Sequence, residues 1–81
     1  MQIDVNLFGP LAEIAASDVI TVKLEGDANA SGVLQAIHAS SPELRPALAT
    51  CRLAVNHDYA LPEDEVTPRD EVALIGMVSG G

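Results

Sequence analysis

Four consecutive aliphatic side chains, Val72-Ala73-Leu74-Ile75, form the heart of the most apolar stretch of the chain, Glu71 to Val78. With no polar position left to face water, that run reads as a strand buried on both faces. Such a strand belongs in the middle of a sheet, so the remaining sequence must supply strands for both of its edges. Gln2 to Phe8 is one: Ile3, Val5 and Leu7 alternate with Asp4 and Asn6 at the two-residue period of a half-buried strand. Val19 to Leu24 is another, with Ile20, Val22 and Leu24 alternating with Thr21 and Lys23. Cys51 to Asn56 sets Leu53 and Val55 opposite Arg52 and Ala54, and Tyr59-Ala60-Leu61 adds a short edge strand.

The connections have their own signals. Gly9-Pro10 breaks the first strand, and Leu11, Ile14 and Ala15 at helical spacing predict a short helix over Leu11 to Ala16. Gly26-Asp27-Ala28-Asn29 is a turn cluster, and Asn29 or Ser31 can cap the main helix, whose apolar stripe is Ala30, Val33, Leu34 and Ile37. Pro42 ends that helix, and Ser41 before it reads as the N-cap of a helical turn running to Leu48. Pro62-Glu63-Asp64-Glu65 reads as an acidic loop and Pro68-Arg69-Asp70 as a turn. A hairpin, a crossover helix and a closing pair of strands predict an α+β fold of the β-grasp, ubiquitin-like kind. Its mixed sheet has four to five strands, with the last strand parallel to the first, one main helix across it and short extra helical turns. The division expected is a β-grasp domain over 1–76 and an extended tail over 77–81.

Composition narrows the partners. Eighty-one residues make one small domain, which buries about 60% of its unfolded surface. Its 48% apolar content is carried by Ala, Val, Leu and Ile, with Phe8 and Tyr59 as the only aromatics, so the core is aliphatic. A net charge of −8 repels phosphate backbones and anionic lipid headgroups and disfavours nucleic acid and membrane surfaces as partners. A basic docking face is steered in instead. Cys51 is the lone cysteine, which excludes an intramolecular disulfide and suits a reducing compartment. With no basic segment leading an apolar core at Met1 and no run of membrane-spanning length, the expectation is a soluble, complete, cytoplasmic chain.

The sequence closes on Val78-Ser79-Gly80-Gly81. Glycine has no Cβ and adopts both signs of φ, so a Gly-Gly end can thread a narrow channel in a partner and present its carboxylate to chemistry there. Three segments carry a resemblance: Ile3-Asp4-Val5-Asn6-Leu7-Phe8-Gly9 with Leu11-Ala12-Glu13, Leu53 to Tyr59, and Asp70 to Gly81. Together they resemble the sulfur-carrying small subunits of molybdopterin synthase, over nearly the whole chain. One departure stands out: these subunits usually carry two prolines where this chain has Gly76-Met77. Proline fixes φ, so its absence predicts a looser tail before docking, which bears on partner affinity and leaves the chemistry unchanged.

The resemblance implies a cycle in which the chain catalyses nothing alone. An E1-like adenylyltransferase uses ATP to join Gly81 to AMP, a sulfur donor displaces AMP, and the thiocarboxylate is carried into the large subunit of the synthase. There it gives its sulfur to cyclic pyranopterin monophosphate, building the molybdopterin dithiolene. Gly81 is then the reacting residue, Gly80, Ser79, Val78 and Met77 lie along the partner's channel, and a dimeric large subunit implies a heterotetramer. No permanently bound cofactor or metal is implied. Phe8, opposite the inward Ile3, Val5 and Leu7, is either an exposed interface anchor or a cover over the Leu11 to Ala16 helix.

Rival sites weigh less. Cys51 can in principle hold sulfur as a persulfide, but its one basic sequence neighbour, Arg52, should point to the opposite strand face, so no lowered thiol pKa is indicated. His38 on a helix and His57 on a loop have no third ligand at metal spacing. Glu63-Asp64-Glu65 reads as a solvated loop before it reads as a cation site. Two other functions remain open: the same terminal chemistry in thiamine thiazole, cysteine or tRNA thiolation or protein tagging, and a plain β-grasp interaction module. Thiamine carriers tend to lack much of the Pro42 to Leu48 region, which favours the first reading.

Overall fold

The computed structural model describes residues 1–77. Strand β1, Gln2–Asn6, leads into helix α1, Gly9–Ala15, and returns as β2, Val19–Lys23. A two-residue strand β3, Ala28–Asn29, precedes the main helix α2, Ala30–Ser40, followed by a 3₁₀ turn over Pro42–Leu44 and a single-turn helix α3, Arg45–Leu48. Strands β4, Cys51–Val55, β5, Asp58–Tyr59, β6, Glu65–Val66, and β7, Val72–Gly76, complete the order.

Strand β7 takes the centre of a five-stranded sheet ordered β2-β1-β7-β4-β5. It runs parallel to β1, with Val5 beside Val72, and antiparallel to β4, with Leu53 beside Leu74. With α2 crossing one face, this is the β-grasp arrangement. Ile3, Val5, Val22, Leu53, Val72 and Leu74 point to that face and meet Leu11 of α1, Val33 and Ile37 of α2, and Leu44. Each aliphatic side chain so buried contributes about 1.5–3 kcal/mol over its exposed state. That is how a chain with two aromatics holds one core.

The second face corrects the sequence reading of β7. Val72 and Leu74 are buried, but Ala73 and Ile75 are half-exposed. The core cluster draws its helical side chains onto one side of the sheet, so an apolar run in the central strand has one face covered and one open. Three smaller expectations change as well. Ile14 of α1 is 47% exposed, because this seven-residue helix docks through Leu11, with Ala12 and Ala15 packed partly against the core. Ala28–Asn29 and Glu65–Val66, read as turn and acidic loop, pair antiparallel as β3 and β6. Ser41 precedes the 3₁₀ turn but makes no side-chain cap bond; its carbonyl accepts from the Leu44 N–H at 3.0 Å. Asn29, not Ser31, caps α2, its side-chain oxygen accepting from the Gly32 N–H at 2.8 Å.

The hairpin between β4 and β5 has a two-residue turn, Asn56-His57, with φ of 53° and 73°. Positive φ at both turn positions matches the right-handed twist of the flanking strands, and this places Tyr59 directly across from Ala54. The edge strand thus begins one residue before the Tyr59 to Leu61 segment read from the sequence.

Candidate functional site

Strand β7 delivers the chain to one end of the sheet, and its last ladder pair is Cys51 with Gly76. Met77 extends the ladder: its N–H donates to the Thr50 carbonyl at 2.7 Å. A proline at 77 would lack that donor, so the residue that departs from the prolines of the resembling subunits fixes the root of the tail. Gly76 is not forced by crowding, since a Cβ there would meet only Leu11 Cδ1, at 3.9 Å. Of the tail residues singled out in the sequence, Met77 is described and is 38% exposed. Val78, Ser79, Gly80 and Gly81 lie outside the described residues.

Around the tail root the open face of the sheet is apolar. Phe8, leaving β1 on that side, is 60% exposed and also borders Leu11 and Ile14 of α1. Phe8 and Ile75 share a shallow depression of about 350 Å³ with Ala54, Ala73 and Tyr59, and His57 and Glu71 stand at one end of it. On the other side of Phe8 a groove of about 420 Å³ runs between Leu11, Ile14, Cys51 and Met77. Phe8 therefore forms the ridge between two apolar hollows, both within reach of the tail root.

Charged groups frame the depression. The Arg52 guanidinium lies 4.8 Å from the centre of the Tyr59 ring, a cation–π contact that holds an exposed aromatic in place. His57 Nε2 sits 3.2 Å from Glu71 Oε2, both side chains largely in solvent. Behind them Asn56 Nδ2 donates to Asp70 Oδ1 at 3.0 Å, and the Glu71 N–H donates to Asn56 Oδ1 at 2.9 Å. The hydrogen bond from Asn56, then that from the Thr67 N–H, holds the Asp70 carboxyl below its ordinary value. This knot ties the β4–β5 hairpin to the start of β7 and so fixes the frame from which the tail departs.

Cys51 lines the groove as a thiol, not a thiolate. Its Sγ donates to the Ala47 carbonyl at 3.0 Å, and burial pushes its pKa up. Arg52 points to the opposite face, as strand alternation requires, and does nothing to lower it. His38 and His57 lie on different elements, and no three His, Cys, Asp or Glu side chains gather among the described residues. Sequence reasoning missed Arg52, Ala54, Tyr59 and Ile75 as members of one surface. The signal was present for β4, where Arg52 and Ala54 share a face, but the unbroken apolar run of β7 concealed its own alternation.

Three comparisons bear on this arrangement. The model of the ThiS family matches residues 5–81. A molybdopterin synthase sulfur carrier subunit of Chlamydomonas reinhardtii is 36% identical over 83 residues, covering all of both chains. That of Arabidopsis thaliana is 28% identical over 81 residues, covering all of this chain and 84% of its own. Among solved structures, the small archaeal modifier protein 1 of Haloferax volcanii superposes with a TM-score of 0.84 at 28% identity, covering all of both chains.

Proposed function

The chain belongs to the ThiS family, and from that premise we propose that it is the sulfur-carrier small subunit of a molybdopterin synthase. The observation that carries this reading is the end-to-end likeness to the Chlamydomonas carrier, with a family match that reaches Gly81. In this reading residues 1–76 are the body and 77–81 the arm, and Gly81 is the group that reacts.

The chemistry follows from what a carboxylate lacks. Its charge is delocalised and oxide is a poor leaving group, so Gly81 must be activated before it accepts sulfur. An E1-like adenylyltransferase joins the carboxylate to the α-phosphate of ATP and releases pyrophosphate. A sulfur donor attacks the mixed anhydride, AMP leaves, and a thiocarboxylate remains. In the large subunit its sulfur attacks a carbon of cyclic pyranopterin monophosphate as the carbon–oxygen bond there breaks, the oxygen leaving with the phosphate or as water. A further water cleaves the resulting acyl–sulfur bond, leaving the sulfur on the pterin and returning Gly81 as carboxylate. Acids, bases and phosphate-binding cations are supplied by the partners, so the carrier alone has no activity and keeps no cofactor.

The described residues contribute placement. The Met77–Thr50 bond fixes where the arm starts, and Gly80, Ser79, Val78 and Met77 lie along the partner's channel. The Phe8–Ile75–Tyr59 face seats the large subunit, and two such pairs make a heterotetramer. A basic partner is favoured by the charge of −8. No described helix is long and apolar enough to cross a membrane, and the reading places the work in the cytoplasm.

The likeness to an archaeal modifier protein favours a second reading, in which the same activated carboxylate acylates an amine of another protein. Intact-mass analysis of protein purified from its native host separates the two. A species in which one terminal oxygen is replaced by sulfur supports the carrier, and its conversion of the pterin precursor with a synthase large subunit fixes the pathway. Covalent adducts on other proteins' lysines, without a thiocarboxylate, would establish the modifier. An unmodified terminus in cells actively making molybdenum cofactor would end the proposal.

A further inference from the structure

Strand β2 forms an outer edge of the five-stranded sheet, and its pairing to β1 fixes which backbone groups it spends. The Leu7 N–H donates to the Asp18 carbonyl and the Leu24 N–H to the Met1 carbonyl, each at 2.8 Å. In an antiparallel ladder bonded pairs recur every second residue, so Ile20 and Val22 turn their N–H and C=O groups toward β1. Those of Val19, Thr21 and Lys23 turn outward. Ser17 closes the first of these: its hydroxyl donates to the Val19 carbonyl at 2.6 Å and accepts from the Val19 N–H at 3.2 Å. Among the described residues, Thr21 and Lys23 have no such cover. A β-branched edge of this kind is a template for another strand unless it is blunted; here Ser17 closes the backbone at one end, and at the other the only guard on β2 is the exposed Lys23 side chain.

The open end leads into a cleft of about 610 Å³ beside α2, lined by Leu24, Glu25, Asp27, Gln35, Glu63 and Glu65. Four carboxylates there select the charge of whatever adds to the edge. Lys23 does not oppose this, because strand alternation sends its side chain to the other face from Leu24. A second copy of the chain, carrying −8, is the wrong occupant. We infer that the β2 edge at Thr21 and Lys23 is a second docking site, taking an extended, lysine- or arginine-bearing segment of a partner protein as an added strand.

The site lies at the end of the sheet where Met1 meets Leu24, whereas β7, parallel to β1, carries the tail root to the opposite end. An occupied edge therefore leaves Met77 and Phe8 free. The site can recruit a partner while the tail is engaged elsewhere.

The test is a nuclear magnetic resonance titration of the full chain with the peptide acetyl-Lys-Thr-Lys-Thr-Lys-Thr-Lys-amide. A control peptide of equal charge has alternate amides N-methylated and cannot pair. The result expected is saturable binding, with slowed exchange at the Thr21 and Lys23 amides and at least about tenfold weaker binding of the control. Thr21→Pro removes an outward N–H and the hydroxyl that donates to Asp4 Oδ1 at 2.7 Å, leaves the backbone bonds of Ile20 and Val22 to β1, and weakens the unmethylated peptide to a similar degree, whereas Thr21→Val, which removes only the hydroxyl, leaves binding unchanged. Glu25→Gln with Glu65→Gln weakens it severalfold while slowed exchange at Thr21 persists. Equal binding of the two peptides, or perturbations centred away from Thr21 and Lys23, overturns the inference. Should Thr21→Pro fail to fold, the two peptides on the unaltered chain decide alone.

Discussion

Met77 gives its backbone N–H to the carbonyl of Thr50 at 2.7 Å, one step beyond the Cys51–Gly76 pair that ends the β7–β4 ladder. The chain is thus still tied to the sheet at Met77.

Hydrogen exchange checks that anchor. The Met77 amide should fall in the protected set together with Ala73 and Ile75, whose N–H groups bond to β4 by the same alternation. Exchange of Met77 at the rate of an open peptide would remove the anchor from the account.

Phe8 and Leu74 separate docking from folding. Leu74 is fully buried in the central strand, so Leu74→Ala should cost about 2–5 kcal/mol in urea unfolding. Phe8→Ala, at a side chain 60% exposed, should cost less than about 1 kcal/mol yet weaken binding to a synthase large subunit by about 2 kcal/mol, some thirtyfold. Unchanged affinity in calorimetry would strike Phe8 from the interface.

His57 occupies a turn position at φ 73°, where a side chain is strained and glycine is not. Its exposed pair with Glu71 contributes little. His57→Gly should therefore raise stability by about 0.5–1 kcal/mol. A lower unfolding midpoint for the variant would mean that the Glu71 contact outweighs the backbone strain.

Asp70 makes stability depend on acid in a definite direction. Because hydrogen bonds from Asn56 and Thr67 lower its pKa in the folded chain, its contribution is complete above the ordinary 3.8 and is lost as pH falls through the lowered value. Asp70→Asn should be less stable than the natural chain near neutrality, and the gap should close toward about pH 2. A gap that stays constant across a urea series at those pH values contradicts this.

Cys51 should react slowly with iodoacetamide near neutral pH, since burial raises its pKa and its Sγ is already bonded to Ala47. Cys51→Ala should leave sulfur transfer intact. Loss of transfer from a variant that still folds would return the sulfur to this thiol.

Several features of this molecule were legible without coordinates because they are local. Alternation marked Ile3, Val5, Val22 and Leu53 as one face, and all four are buried. The apolar run at 72–75 announced a central strand, and β7 is central. The Asn29 cap needed only its own sequence neighbours to be proposed. The β3–β6 pair was not legible, because two-residue strands are too short to show a period and their partners lie far apart in sequence. Nor was the Asn56-His57 turn, whose second position departs from the usual glycine.

The sequence by itself determined the order of the longer strands and the main helix, the aliphatic core and the acidic charge, since each is written in residue types and their spacing. Only the tertiary structure decided that one face of the sheet stays open around Phe8, Ile75 and Tyr59, and that Met77 is tied to Thr50. Burial on a given face depends on which distant elements come to cover it, and no periodicity within a strand carries that information.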